Sequence, residues 1–355
     1  MLKMLEGRST IIVASLVVSL IISFAFGFDP LLPLDEVEGL KYVAETLGKR
    51  DWNITTNSCM EEGSIMECNC TYINHTVCHI TTITLTSQNL EGTLPSQLFR
   101  LPYLEALDLA RNRLTGSIPE EIGNITTLQF LNLEVNRLSG SLPSTLGNLV
   151  NLQTLRLASN NFTGKLPASL GMLTSLTSIQ ISDNNFEGQI PSFIQNWISV
   201  TRIEAHASGL SGPLPSEIGL LTKLTDLRIS DLNGDSSSPF PPLQNLTSII
   251  YLILRSCNIT GVLPDYLSSI SPIKILDLSF NKISGQIPPN FQDLEDVDYI
   301  FLTGNLLNGS LPNWMLEKGH NIDLSYNKFE QLSNGCQSQY TNLFASSEAD
   351  NNSFL

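Results

Sequence analysis

The chain has 355 residues, with 34 acidic against 19 basic side chains and a net charge of −15, so nucleic acid and anionic membrane surfaces are poor partners for it. Its four histidines show no nucleophile–base or metal spacing, and no phosphate-binding glycine loop or kinase catalytic loop occurs anywhere, so no catalytic constellation, metal or cofactor site is read.

At the N-terminus, Lys3 and Arg8 precede an apolar run from Ile11 to Phe26 that closes on Ala25-Phe26-Gly27. The run is short for a membrane span, and the pattern predicts a secretory signal peptide over 1–27. Its removal takes away Lys3, Arg8 and Glu6 and leaves a net charge of −16. Residues 28–82 read as an N-terminal cap. There Leu34, Val37, Leu40, Val43 and Leu47 recur at helical spacing before Trp52 and predict an amphipathic helix over an open end. Four cysteines follow, Cys59, Cys68, Cys70 and Cys78, as expected of a small secreted cap that must be stapled. Three pairings are possible, and Cys59 with Cys68 and Cys70 with Cys78 closes the shortest loops. A zinc site drawing on His75 or His79 lacks paired CxxC knuckles and would sit in an oxidising compartment.

From Ile83 onward the sequence repeats. Strand starts fall at Ile83, Leu107, Leu131, Leu155, Ile179, Ile203, Leu227, Leu252, Leu276, Ile300 and Ile322, mostly 24 residues apart, in the frame LxLxxNxLxGxLPxxLxxLxxLxx. This is the signature of leucine-rich repeats, whose units are too small to bury their own apolar face and must stack on neighbours. The predicted fold is an α/β-type solenoid over 83–332, with ten full units and one short one, a concave parallel β-sheet, an irregular or 3₁₀ convex side and a disulfide-stapled N-terminal cap. Residues 333–355 are read as a truncated tail. Within one unit, Leu107, Leu109, Leu114, Ile118, Ile122, Ile125 and Leu128 point to one interior, each contributing roughly 1.5–3 kcal/mol on burial. Asp108 alternates with the strand leucines, as a half-buried strand requires. Asn112 ends the strand and its amide can satisfy bend backbone, a slot refilled by Asn136, Asn160, Asn184, Asn281, Asn305 and Asn327. Gly116 and Pro119 turn the chain to the convex side. Leu232 and Cys257 interrupt the slot, and Cys257 reads as a buried, inert thiol. Cys336 lies past the last repeat, where a C-terminal cap is expected, without a partner, which reads as a chain that stops early. Eleven strands make a surface roughly 50 Å long. Such a surface suits a peptide, glycan or protein better than a small substrate.

Nine Asn-x-Ser/Thr acceptors fit a secreted glycoprotein: Asn53, Asn69, Asn74, Asn124, Asn161, Asn245, Asn258, Asn308 and Asn351. Sugars there would mask the flanks and leave the concave strands accessible. Ser182-Asp183-Asn184 imitates a penicillin-recognising triplet but fills repeat slots without the accompanying motifs. Asp231-x-Asn233-x-Asp235 opens like a calcium loop, yet its glycine comes too early and Pro242 stands where the bidentate glutamate belongs.

Outward-facing strand residues fall into columns along the concave face. In the C-terminal half these hold Tyr251, Ile253, Ile275, Tyr299 and Phe301, joined one column on by Phe280, where the N-terminal half offers mostly polar side chains such as Asp108, Asn132, Arg156 and Gln180. Beside them Arg202, Glu204, His206, Arg228 and Arg255 form a charged strip. An exposed apolar patch next to arginines and tyrosines is the expected binding site for an extracellular peptide, glycan or protein, with a co-receptor as a possible second partner.

The LxGxIP form of the repeat, as in LDLSFNKISGQIP, resembles the plant-specific class of extracellular leucine-rich repeats. CNCTYINHTVCHI in the cap, LRISDLNGDSSSPFPPLQNLTSIIYLILRSCNITGVLP in the middle and IDLSYNKF near the end are similar to the plant receptor-like kinases of the leucine-rich repeat VIII subfamily. That resemblance implies a plasma-membrane receptor in which the repeats are followed by a malectin-like domain, one transmembrane helix and a cytoplasmic serine/threonine kinase, so membrane attachment would come only through a downstream helix. The alternative is a free secreted binder resembling polygalacturonase-inhibiting proteins, whose C-terminal cap carries its own paired cysteines.

Overall fold

A computed structural model of the chain describes residues 30–60, 65–73, 75–270, 272–294, 297–317, 321–330 and 342–347. The expected signal segment, Asn74, Cys336 and Asn351 lie outside them.

The cap begins with a helix, Leu34–Thr46, that buries Val37, Leu40 and Val43. Leu34, expected on that apolar face, is 71% exposed. Helical side chains lean toward the helix start, so the first residue overhangs the surface that the next turn covers. The buried Glu36 ties the helix to the repeats, accepting the backbone N–H of Ile80 at 3.0 Å and contacting Nδ1 of His79. A hairpin of Met66–Tyr72 against Val77–Thr84 follows. Cys59 is bonded to Cys68 and Cys70 to Cys78.

Val77–Thr84 is also the first strand of the solenoid, pairing in parallel with Ala106–Asp108. From there each repeat adds one parallel strand with its first-slot leucine opposite the next: Leu107 faces Leu131, which faces Leu155, and so on to Ile300 and Ile322. Asn342–Ser347 pairs in parallel with Asn321–Phe329, Ile322 facing Leu343, and so adds a twelfth strand to the eleven expected. The tail segment thus continues the sheet. The spacing shrinks from 24 residues to 22 and then 21 at this end, which hides the last strand from a search at fixed period.

On the opposite side, 3₁₀ turns such as Glu120–Asn124 and Ala168–Met172 start after a proline in extended conformation. Between the two sides, short strands such as Ser139–Ser141, Asn161–Gly164 and Asn185–Phe186 form a second, narrow parallel sheet. The interior is continuous: Leu107, Leu109, Leu114, Ile118, Ile122, Ile125 and Leu128 are all buried, as are most of their counterparts along the array.

The asparagine slot stitches neighbours together. Asn136 donates through Nδ2 to the carbonyls of Leu133 (3.1 Å) in its own repeat and Leu109 (3.0 Å) in the preceding one, while its Oδ1 accepts from Leu114 N (3.0 Å). The slot is broken in three successive repeats, by Ser208 as well as by Leu232 and Cys257. Without the asparagine, Phe186 N donates directly to the main-chain carbonyl of Ser208 at 2.9 Å. Gly209 makes this approach possible, since a Cβ there would lie 2.5 Å from the carbonyl oxygen of Phe186. These same three repeats have five-residue concave strands, Arg202–His206, Asp226–Ser230 and Tyr251–Arg255, where their neighbours on either side have three. Sheet hydrogen bonding extends where side-chain bonding stops. Cys257 is fully buried, its thiol 3.2 Å from the carbonyl of Arg255, and burial pushes its pKa up, with Asp231 and Asp277 adding to the effect. A protonated, inaccessible thiol is unreactive.

Candidate ligand-binding face

The parallel register fixes four outward columns. The first runs Arg202, Asp226, Tyr251, Ile275, Tyr299, and the second Glu204, Arg228, Ile253, Asp277, Phe301. The third holds His206, Ser230 and Arg255, and the fourth holds Asp231, Phe280, Gly304 and Tyr326. The fourth column is left-handed from Ser87 to Tyr326, with φ near +55° at Arg111, Val135, Ser159, Asp183 and Phe280. That conformation ends the strand and swings the side chain to the rim of the concave face. Phe280 is accordingly 48% exposed and Tyr326 67%.

The apolar residues expected to form a patch lie side by side. Tyr251 faces Ile275, which faces Tyr299, and the Tyr299 and Phe301 rings stack at 5.9 Å. Two residues extend what the sequence reading held. Tyr326 shares the slot of Phe280 two repeats on, and that shared slot was the signal available to find it. In the N-terminal half, Phe130 occupies the first column, with the Arg156 guanidinium 5.7 Å over its ring.

The charged strip is not a row of free anchors. Arg202 is hydrogen-bonded to Glu204 and lies 3.5 Å from Asp226. Arg228 grips Asp226 through Nε (2.7 Å) and Nη2 (3.2 Å) and lies 3.7 Å from Glu204. Two arginines and two acids therefore neutralise one another, and hydrogen bonding to Asp226 raises the Arg228 pKa above its ordinary value. Arg228 also stands 5.0 Å over the Tyr251 ring, a cation–π contact. His206 Nδ1 and Ser182 Oγ are 2.8 Å apart. Arg255 stands apart from this network, its guanidinium 4.8 Å over Phe280.

None of the five acceptor asparagines within the repeats, Asn124, Asn161, Asn245, Asn258 and Asn308, falls in the four columns. Asn53, Asn124, Asn161, Asn245 and Asn308 are exposed, and Asn69 and Asn258 half-buried. Among the described residues no group of three or more His, Cys, Asp or Glu is placed to hold a metal, and no helix is long and apolar enough to cross a membrane.

The class that this architecture defines is a parallel-stranded repeat solenoid whose outward columns carry no sugar-acceptor asparagine. Two family models match, one for a leucine-rich repeat region over residues 79–238 and one for the leucine-rich repeat over 245–307, together more than half of the chain. The chain belongs to the leucine-rich-repeat proteins, and its repeats are of the kind found in plant receptor-kinase ectodomains. A probable LRR receptor-like serine/threonine-protein kinase of Arabidopsis thaliana is 44% identical over 96 residues, which cover 27% of this chain and 9% of the kinase. The chain thus spans only a small part of that relative, and both family models that match it are repeat models. Among solved structures, the LRR ectodomain of the Arabidopsis membrane receptor kinase GASSHO1/SCHENGEN3, in complex with CASPARIAN STRIP INTEGRITY FACTOR 2, superposes with a TM-score of 0.77 at 29% identity, covering 88% of this chain and 37% of that one. The Arabidopsis receptor kinase HAESA, in complex with the peptide hormone IDA and the co-receptor SERK1, does so with a TM-score of 0.58 at 27% identity, covering 83% and 46%.

Proposed function

We propose that this chain is the ligand-perceiving part of a plant cell-surface receptor kinase, that it binds an extracellular peptide on the C-terminal half of its concave face, and that a co-receptor completes the complex. The observation that carries the reading is the run of Tyr251, Ile275, Tyr299 and Phe301 on an outward sheet face free of sugar acceptors. An apolar patch of this kind is costly in water and marks an interaction surface. The solved complex of HAESA with a peptide hormone and a co-receptor supports the ligand class. The motifs in the cap and in the middle repeats support membership of the leucine-rich repeat VIII subfamily, in which a malectin-like domain, a membrane span and a kinase follow. Reading the transcript beyond Leu355 tests that part.

The binding claim is tested by selecting linear peptides from a random display library against the secreted chain. Replacing Tyr251→Ser and Phe301→Ser together should leave secretion intact and weaken the selected peptides by about 2 kcal/mol or more. Undiminished binding would move the site away from this face.

A further inference from the structure

On the concave face, two carboxylates flank one aromatic ring with no ion-pair partner among the described residues. Asp277, Phe301 and Asp323 follow one another in the second column, so the Phe301 ring has a carboxylate on each side, one strand spacing away. Together with Arg255, Ser279, Phe280 and Thr303 they line a recess of about 220 Å3. Among the described residues each aspartate is engaged through one oxygen. Oδ1 of Asp277 accepts from Ser279 N (2.9 Å) and Ser279 Oγ (2.5 Å), and Oδ1 of Asp323 from Ser325 N (3.0 Å) and Ser325 Oγ (2.6 Å). Among the described residues neither carboxylate has a cation within ion-pair distance. Arg255 is drawn aside by Phe280, whose ring in turn lies across Gly304, where a Cβ would come within 2.7 Å of it. A glycine in this slot therefore holds the wall of the recess in place.

Three repeats upstream the same face shows what such a setting takes. There Glu204 and Asp226 are bridged by Arg228, which at the same time lies over the Tyr251 ring. Carboxylates beside an aromatic ring hold a guanidinium in that place; the recess repeats the carboxylates and the ring, while the one cation in its lining, Arg255, lies over Phe280 beyond ion-pair distance of both aspartates.

We propose that the recess receives a basic side chain, lysine or arginine, of the bound peptide, a reading that rests on the concave face being the peptide site. The cation lies between Asp277 and Asp323 against the face of Phe301, gaining charge-assisted hydrogen bonds and a cation–π contact at once. The net charge of −15 draws a basic ligand toward the chain as a whole.

The test uses peptides selected on the intact secreted chain and the variants Asp277→Asn and Asp323→Asn. Asparagine removes the charge and keeps the turn, as Asn132 shows in the same column by accepting from Glu134 N at 3.2 Å. The selected peptides should share a lysine or arginine near an apolar residue. The double variant should weaken them roughly ten-fold or more, and replacing the peptide's lysine by norleucine, or its arginine by citrulline, should cost about as much in the wild type and little in the variant. Peptides without a shared basic residue, or indifferent to the asparagine variants while still weakened by Tyr251→Ser, overturn the cation site and leave the concave face standing. Indifference to Tyr251→Ser as well, or a selection that enriches nothing, overturns both.

Discussion

At the scale of single residues, the repeat is held by two devices that oppose each other. The asparagine slot gains hydrogen bonds across repeats, while the residue just before it is forced into the left-handed region, which costs an L-residue other than glycine, asparagine or aspartate about 1–2 kcal/mol. Val135 is the clearest case, a β-branched side chain at φ +55° and 46% exposed, so it gains little from packing in return. Val135→Asn should raise stability to urea by about 1 kcal/mol, because asparagine tolerates this conformation. An unchanged or lowered midpoint would mean that the valine packs against the rim after all. Phe280 bears the same strain, and there the cost is set against a ring placed at the edge of the recess.

At the scale of elements, the repeat starting at Ile203 is incompletely filled. Its second strand slot holds Ala205, where the neighbouring repeats have Ile181 and Ile229, and a void of about 20 Å3 lined by Ile181, Ile194, Trp197, Ile203, Ile229 and other apolar side chains sits beneath it. Ala205→Leu restores the side chain found at Leu109, Leu133 and Leu157 and should gain about 1 kcal/mol, read as a raised thermal midpoint. A lower midpoint would show that the backbone, drawn in at Gly209, has already closed on the slot. This region also marks where sequence reading stopped. The 24-residue period made the register, the interior and the concave columns legible, since slot number alone decides which way a residue faces. It left the bonding within the columns unread. Arg202 and Glu204 lie two apart on one strand face and Asp226 and Arg228 do the same one strand over, so the four meet only once the strands are aligned, and their mutual neutralisation follows from that alignment. Ser208 passes for a minor variant of asparagine in the sequence, but its shorter side chain cannot reach the neighbouring repeat, and the strands lengthen instead. The twelfth strand was missed because the period contracts.

At the scale of the whole molecule, each repeat touches only its neighbours, so stability is a sum of local terms coupled along one axis. The cap is where that axis would otherwise fray. Its disulfides close loops with sequence separations of 9 and 8 residues, each contributing about 2–3 kcal/mol, and Glu36 and Leu40 fasten the helix onto the first strands. Reduction should therefore accelerate amide hydrogen exchange first around Ile83 and Leu107 and leave the strands from Leu252 onward protected. Uniform loss of protection would show that the array unfolds as one unit.

The near-constant repeat length also sets how the molecule would behave under load. Stretched between its two ends, a stack joined by neighbour contacts alone parts one coil at a time, and each 24-residue coil that comes free lengthens the chain by about 80 Å. Tension on this protein would be released in even, countable steps, with the first coils to yield around Ala205, where the stitching asparagine and the filling side chain are both missing.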